Sequence, residues 1–135
     1  MFKKVDHVEL VPTNMERSLK FYTEILGFKI QWRHKAEIPP VGEGELVFIE
    51  LGDTLIELFS AKNPAPASKG QWQVGYRRIA LQVEDLDKAI KYLKAKGVEI
   101  SSGPVAVEGP VAGKPVKLAE IKDPDGLSIE LIQRG

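Results

Sequence analysis

The feature that most constrains this fold is an internal repeat that fills the chain. Strand-like segments at residues 5–11 and 76–82 each lead into a helical pattern, and the second segment lies 71 residues after the first. Each helical pattern places three apolar side chains on one helix face. They are Met15, Leu19 and Tyr22 in the first copy and, 71 residues later in each case, Leu86, Ile90 and Leu93 in the second. The repeat predicts two copies of one structural unit.

Both predicted helices have start and stop signals. The segment from Thr13 to Glu16 offers a capping box for the first helix, and Gly27 ends that helix. Asp85 can cap the second helix, and Gly97 ends it. The two helices are therefore expected to follow one template.

Each half closes with a predicted hairpin whose last strand carries the triplet Ile-Glu-Leu. The triplets occupy residues 56–58 and 129–131, and turn signals precede them at residues 52–53 and 123–126. Each copy therefore reads strand, helix, strand, strand, strand. The predicted strands are residues 5–11, 28–33, 46–51 and 54–60 in the first copy, and 76–82, about 98–107, 116–122 and 127–133 in the second.

Strand alternation predicts which side chains share a face. Val8 should pack under the first helix, which turns His7 and Glu9 to the opposite face. The Ile and Leu of each triplet should also face the helices, so Glu57 and Glu130 turn to the same side as His7. A carboxylate between apolar neighbours in mid-strand needs a charged or hydrogen-bonding partner. His7, Glu57 and Glu130 are therefore predicted to converge on one site.

Composition narrows the chemistry of such a site. The 135 residues include 19 Lys and Arg against 19 Asp and Glu, no Cys and two His. Without Cys, disulfides, thiolate nucleophiles and Cys-ligated metals are excluded, so any metal must rest mainly on carboxylates. Zero net charge gives no global field for nucleic acid or an anionic membrane, and neither is an expected partner. A cytoplasmic protein is expected, because no signal-like or membrane-spanning segment is present.

The tandem units, the His on the first strand, a Glu on each closing strand and the passage Asp-Pro-Asp-Gly before the second triplet resemble the vicinal-oxygen-chelate superfamily. That superfamily includes glyoxalase I, bleomycin-resistance proteins and extradiol dioxygenases. The helix pattern from Leu19 to Phe28 adds to the likeness, which runs over nearly the whole chain. The resemblance implies an α+β fold in which two βαβββ units in tandem form a curved mixed sheet with a concave site.

This fold implies a single domain with three parts. Residues 1–60 form the first βαβββ unit and residues 75–135 the second. Residues 61–74, which are rich in Pro, Ala, Ser and Gly, are the predicted linker between them.

The resemblance also implies a metal site with one departure. In glyoxalase I-like members each first strand and each closing strand supplies one ligand, and His7, Glu57 and Glu130 match three of the four positions. Arg78 stands at the fourth, where a His is usual, and a guanidinium has no lone pair to donate. The remaining three ligands are one neutral nitrogen and two carboxylates, whose charges balance that of a divalent ion such as Ni, Zn, Co, Mn or Fe. A guanidinium ~4 Å away would cost about 4 kcal/mol at an effective dielectric near 20.

Two roles for Arg78 remain open. At the rim of the site it could clamp the carboxylate or phosphate of a substrate. Inside the site it could replace the metal by pairing with Glu57 and Glu130.

By this resemblance the first hypothesis is a glyoxalase I-like, metal-dependent lyase or isomerase related to lactoylglutathione lyase. It would act on a small α-oxygenated or thiol-adduct substrate, with Glu130 or Glu57 as the catalytic base. The alternative is a metal-free small-molecule binding protein of the bleomycin-resistance type. A dioxygenase is a weaker alternative, since that branch implies two His ligands. The resemblance further implies a homodimer.

Strand alternation adds contacts around the predicted site. The predicted substrate contacts are Arg78, Glu9, Phe48 and Phe59. His34 is expected on the surface beyond the second strand, with no role. Residues 35–45 and 103–115 are rich in Pro and Gly and are predicted to be loops that form lids.

Overall fold

The computed structural model describes residues 1–38, 42–67, 72–111 and 113–135. They divide into two compact units, Met1–Pro66 and Ala67–Gly135. The first contains β1 (Val8–Leu10), α1 (Met15–Lys20) with a π-helical extension (Phe21–Ile25), β2 (Lys29–Ile38), β3 (Gly42–Leu51) and β4 (Thr54–Ser60). The second contains β5 (Arg78–Gln82), α2 (Leu86–Ala95), β6 (Ile100–Val111), β7 (Lys114–Lys122) and β8 (Ser128–Arg134).

Each unit has one four-stranded mixed sheet. The strand orders are β1-β4-β3-β2 and β5-β8-β7-β6, so the first strand of each unit lies beside its last. That pair is parallel in both sheets, and the other neighbours are antiparallel. The predicted α+β fold of tandem βαβββ units is therefore confirmed.

The helix caps agree with the predictions in one unit and differ by one residue in the other. Asp85 caps α2, because its side chain accepts the backbone N–H of Lys88 at 3.0 Å. In α1 the cap is Asn14, whose side chain accepts the backbone N–H of Arg17 at 3.0 Å. Thr13 instead accepts a hydrogen bond from the Arg17 side chain at 2.9 Å. The capping box predicted at Thr13 is therefore wrong, since the amide side chain satisfies the free N–H.

Glycine ends both helices, as predicted. Gly27 has φ +86° and Gly97 has φ +80°. A side chain is strained in this left-handed region, so glycine there turns the chain out of the helix at little cost. The next strand then begins two or three residues later in each unit.

One face of each sheet forms the core with the helix of its own unit. The triplet residues are buried as predicted, with Ile56 6%, Leu58 1%, Ile129 1% and Leu131 2% exposed. Val8 is the register partner of the buried Ile56 and so lies on the predicted face of the sheet, but it is 40% exposed. Its strand has only three residues and lies at the edge of the sheet, which leaves little apolar surface to cover it.

The two predicted lids are largely strands. Residues 35–38 and 42–45 extend β2 and β3 as paired strands, while residues 103–111 belong to β6. Two of the prolines that suggested a loop, Pro104 and Pro110, are tolerated because β6 is an edge strand with register shifts. Parts of both predicted lids, residues 39–41 and 112, lie outside the described residues.

In the described parts of the chain, neither helix combines the length and the apolar character needed to cross a membrane.

Candidate functional site

In the first unit, the site begins with a direct pair between His7 and Glu57. His7 Nε2 lies 2.9 Å from Glu57 Oε2, and His7 Nδ1 lies 2.8 Å from an oxygen of Asp6. The hydrogen bond to Asp6, followed by the charges of both carboxylates, raises the pKa of His7 against the opposing effect of desolvation. The imidazole thus bridges two carboxylates and is well placed to hold a proton.

Glu57 is a buried carboxylate with a like-charged neighbour. It is 6% exposed, and Glu9 lies directly opposite it on β1. Burial, and then the charge of Glu9, raise the pKa of Glu57, while His7 acts in the other direction. A carboxylate destabilised in this way accepts a proton or a cation more readily than a solvated one.

The two predicted aromatic contacts lie on the same sheet face as Glu57. Phe48 is the register partner of Glu57, and its ring meets the His7 ring edge-on at 5.1 Å. Phe59 follows Glu57 by two residues on β4 and is half-buried. Its ring lies over Gly44, where an added Cβ would stand 3.1 Å from the ring. The aromatic rings of Phe48 and Phe59 therefore form an apolar wall beside Glu57.

In the second unit, Arg78 pairs with Glu130. Its Nη2 donates to a Glu130 oxygen, and its Nη1 lies 3.4 Å from an oxygen of Glu120. The Arg78 side chain is 30% exposed and Glu130 15%. Two roles were left open for Arg78, a substrate clamp and a partner for the site carboxylates. The structure shows the second role with Glu130.

Glu120 is the centre of a polar network that the sequence did not suggest. It accepts hydrogen bonds from Ser128 at 2.7 Å, Ser101 at 3.0 Å and Lys122 at 3.0 Å. These donors, with Ser128 contributing most, lower the pKa of Glu120 to about 2. Glu120 is therefore ionised, and it pairs with Nη1 of Arg78 while Glu130 pairs with Nη2.

A turn fixes this arrangement. Asp123 Oδ1 accepts the backbone N–H groups of Asp125 at 2.8 Å and Leu127 at 2.9 Å. The turn sets the register of β7 and β8, which makes Glu120 the partner of Glu130. Knowing this register is what would have revealed Glu120 as a site residue.

Of the three metal ligands that the resemblance implies, two are arranged as a metal site would need and the third is not. His7 and Glu57 offer a nitrogen and an oxygen side by side in the first unit, whereas Glu130 in the second is already paired with a cation. Across the described residues, no group of three His, Asp or Glu side chains is arranged to hold a metal ion. Within the second unit, Glu130 could become a metal ligand only if Arg78 released it.

His34 and Trp32 form a feature that the sequence reading missed. His34 lies within β2, not beyond it, and its ring stacks on that of Trp32 at 5.1 Å with 24° between the planes. Trp32 is the register partner of Phe48, because a bulge between Ile30 and Trp32 shifts the alternation of β2. The expected site face therefore continues into β2 as an aromatic surface.

Comparison with known proteins shows the family. A model of the Glyoxalase/Bleomycin resistance protein/Dioxygenase superfamily matches residues 4–131. The chain belongs to this superfamily, which is the one its repeat and closing strands resemble.

Relatives with curated names are about one-third identical. A probable chloroplastic lactoylglutathione lyase of Arabidopsis thaliana is 33% identical over 98% of this chain, which spans 36% of that relative's length. The lactoylglutathione lyase of Neisseria meningitidis is 32% identical over 95% of this chain and 88% of its own. The uncharacterized protein YaeR of Escherichia coli is 31% identical over 98% of this chain and 97% of its own.

Solved structures agree with the fold. A glyoxalase family protein from Enterococcus faecalis has a TM-score of 0.77 and 26% identity over 97% of this chain and 98% of its own. The trypanothione-dependent glyoxalase I of Leishmania major has a TM-score of 0.71 and 26% identity over 98% of this chain and 87% of its own.

Proposed function

We propose that this protein is a glyoxalase I-like lyase or isomerase that acts on a small α-oxygenated or thiol-adduct substrate. The contact that carries the proposal is His7 Nε2 to Glu57 Oε2 at 2.9 Å, beside the aromatic wall of Phe48. The relatives named lactoylglutathione lyase support the same reaction class.

The ligands that the resemblance implies for a divalent ion are His7 and Glu57 in the first unit and Glu130 in the second. A bound ion would supply positive charge next to the substrate oxygens and so acidify the neighbouring C–H. The chain's own contribution is the proton acceptor. Glu57 suits that role because burial and Glu9 raise its pKa, which brings a general base closer to working pH. Glu130 could act as the base only after Arg78 leaves it.

A metal-free binding protein of the bleomycin-resistance type is the second candidate. The observation that favours it is the ion pair between Arg78 and Glu130, backed by Glu120. The Arg78 guanidinium neutralises the charge of these carboxylates, which a bound metal would otherwise do. In that case the substrate contacts would be binding contacts only, and no proton transfer would follow.

One pair of measurements separates the candidates. The first predicts close to one equivalent of Ni, Zn, Co, Mn or Fe in protein purified without chelator, and lyase activity on hemithioacetals of methylglyoxal. A thermal shift on adding the metal should accompany binding. Less than about a tenth of an equivalent of metal, with no thermal shift and no turnover, contradicts the first candidate and supports the second. His7→Gln should abolish activity, while Glu84→Gln, which changes an exposed residue, serves as the control.

A further inference from the structure

In the second unit, one site side chain is held by two carboxylates at once. Arg78 donates to Glu130 through Nη2, and its Nη1 lies 3.4 Å from an oxygen of Glu120. The two carboxylates come from neighbouring strands, since Glu120 on β7 is the register partner of Glu130 on β8. Contacts through two different nitrogens fix the direction of the guanidinium as well as its position.

The first unit has no carboxylate at the place that corresponds to Glu120. The register partner of Glu57 on β3 is Phe48. The Phe48 ring meets the His7 ring edge-on, with 5.1 Å between the centres and 80° between the planes. A phenyl side chain offers no oxygen or nitrogen to accept an imidazole N–H. A second polar contact for His7 therefore has to come from elsewhere in the chain.

Asp6 supplies that second contact. Its Oδ2 lies 2.8 Å from His7 Nδ1, while His7 Nε2 lies 2.9 Å from Glu57 Oε2. The two ring nitrogens point in different directions, so the two carboxylates together set how the ring is turned. His7 thus has the same two-carboxylate arrangement as Arg78, although its second acid comes from the preceding residue.

Strand pairing does not fix the orientation of the His7 ring. The register pairs between β1 and β4 begin at Val8, so His7 precedes the part of the strand that the sheet holds. The His7 side chain is 32% exposed, which leaves space for the ring to turn. Either ring nitrogen of a His can donate a hydrogen bond or bind a metal. Without Asp6, Nδ1 could therefore take the place of Nε2 beside Glu57.

We propose that Asp6 is a positioning residue that holds the His7 ring with Nε2 directed toward Glu57. A hydrogen bond from Nδ1–H to Asp6 leaves Nε2 as the nitrogen that can share a metal with Glu57. Metal-binding His side chains commonly have such a carboxylate on their other nitrogen, where it fixes the tautomer and the ring orientation. The inference deepens the proposed function, and its statement on metal binding rests on that function, whereas the ring orientation can be tested without metal.

The first test is a nitrogen–proton NMR spectrum of the imidazoles in the whole metal-free chain, at low temperature and slightly acidic pH. His34→Gln leaves His7 as the only His of the chain and so assigns its signals. Wild type should show a slowly exchanging proton on Nδ1 of His7, because Asp6 holds it. Asp6→Ala should lose this signal, and Asp6→Asn should keep it, since the amide oxygen still accepts. Glu84→Ala removes an exposed acid of the second unit and should leave the signal unchanged. Absence of the signal in wild type, or its persistence in Asp6→Ala, overturns the proposal.

The second test is calorimetric titration of the same proteins with Zn²⁺. Asp6→Ala should weaken Zn²⁺ binding at least about tenfold, Asp6→Asn should weaken it less, and Glu84→Ala should leave it unchanged. Equal Zn²⁺ affinities of wild type and Asp6→Ala overturn the proposal. A wild type that binds no Zn²⁺ or other divalent ion contradicts the metal-dependent function, and the Nδ1 signal then decides the role of Asp6 by itself.

Discussion

At the scale of single residues, Arg78 decides how the second unit can be used. By the resemblance it stands at a position that usually supplies a metal ligand, and in the structure it forms an ion pair with the Glu130 carboxylate. Whether the chain is an enzyme with three metal ligands or a binding protein with a built-in cation depends on this side chain. The position is therefore the most informative one to change.

Replacing Arg78 with His should strengthen metal binding. Arg78→His removes a fixed positive charge and adds a nitrogen ligand, so the affinity for Ni²⁺ or Zn²⁺ should rise at least about tenfold. Isothermal titration with each metal measures the change. Arg77→His adds a His one position away and controls for nonspecific binding. Equal affinities in wild type and Arg78→His would place Arg78 outside the coordination sphere.

Glu120 should make the stability of the fold depend on acid pH. Its pKa falls from 4.5 in a free side chain to about 2 in the folded protein, chiefly because Ser128 donates to it. Its contribution is therefore complete above about pH 5 and is lost as the pH falls toward 2. The shift corresponds to about 3 kcal/mol of the free energy of unfolding.

Urea unfolding of wild type and Glu120→Gln between pH 7 and pH 2.5 measures this contribution. The variant should be less stable than wild type at pH 7, and the two should approach each other in acid. Glu84→Gln controls for the loss of one negative charge. A constant difference between Glu120→Gln and wild type across the pH range would contradict the assignment.

At the scale of elements, the two helices show how closely a repeat can be followed. Both start from a side chain that caps a free N–H, and both end at a glycine with positive φ. The cap of α1 lies one residue from the predicted position, at Asn14. Thr13 and Asn14 are both good capping residues, so sequence pattern alone could not choose between them.

Substitution at these two positions should separate the cap from its neighbour. Asn14→Ala should lower the free energy of unfolding by about 1 kcal/mol, because the N–H of Arg17 loses its partner. Thr13→Ala should cost less than about 0.5 kcal/mol, because the contact it removes is to the exposed Arg17 side chain. Thermal unfolding measures both. A larger loss for Thr13→Ala would restore the predicted capping box.

The edge strand β6 requires glycine at position 103. Gly103 has φ +81°, and an added Cβ would lie 2.7 Å from the carbonyl oxygen of Leu118. Gly103→Ala should therefore destabilise the protein by about 3 kcal/mol or more. Gly126 also has φ +81° but open space around it, so Gly126→Ala should cost only about 1 kcal/mol for the backbone. Equal losses in the two variants, measured by urea unfolding, would show that the close contact carries no cost.

The features that the sequence predicted depend on residues close together in the chain, and the features that it missed depend on neighbouring strands. Apolar spacing, caps and turn residues are local, and they predicted the order of elements and the buried triplets. Strand register is not local. The bulge before Trp32 and the pairing of Glu120 with Glu130 depend on neighbouring strands, so alternation within one strand did not reveal them.

At the scale of the whole molecule, we propose that the protein is a homodimer, as the resemblance implies. The N-terminal segment supports an interface, because Phe2, Val5, Val8 and Val11 are all exposed in the single chain. Light scattering at micromolar concentration should give twice the chain mass of 15.0 kDa. A measured mass of one chain would contradict the proposal.

The parallel pairing of β1 with β4 also bears on how the chain is made. β1 leaves the ribosome first, yet its hydrogen-bonding partner in the first sheet is the last strand of that unit. Until β4 emerges, α1 and the β2–β3 hairpin can form from local contacts, but β1 has no neighbour. Because β5 repeats this dependence on β8, each half should complete its sheet in one late step during synthesis.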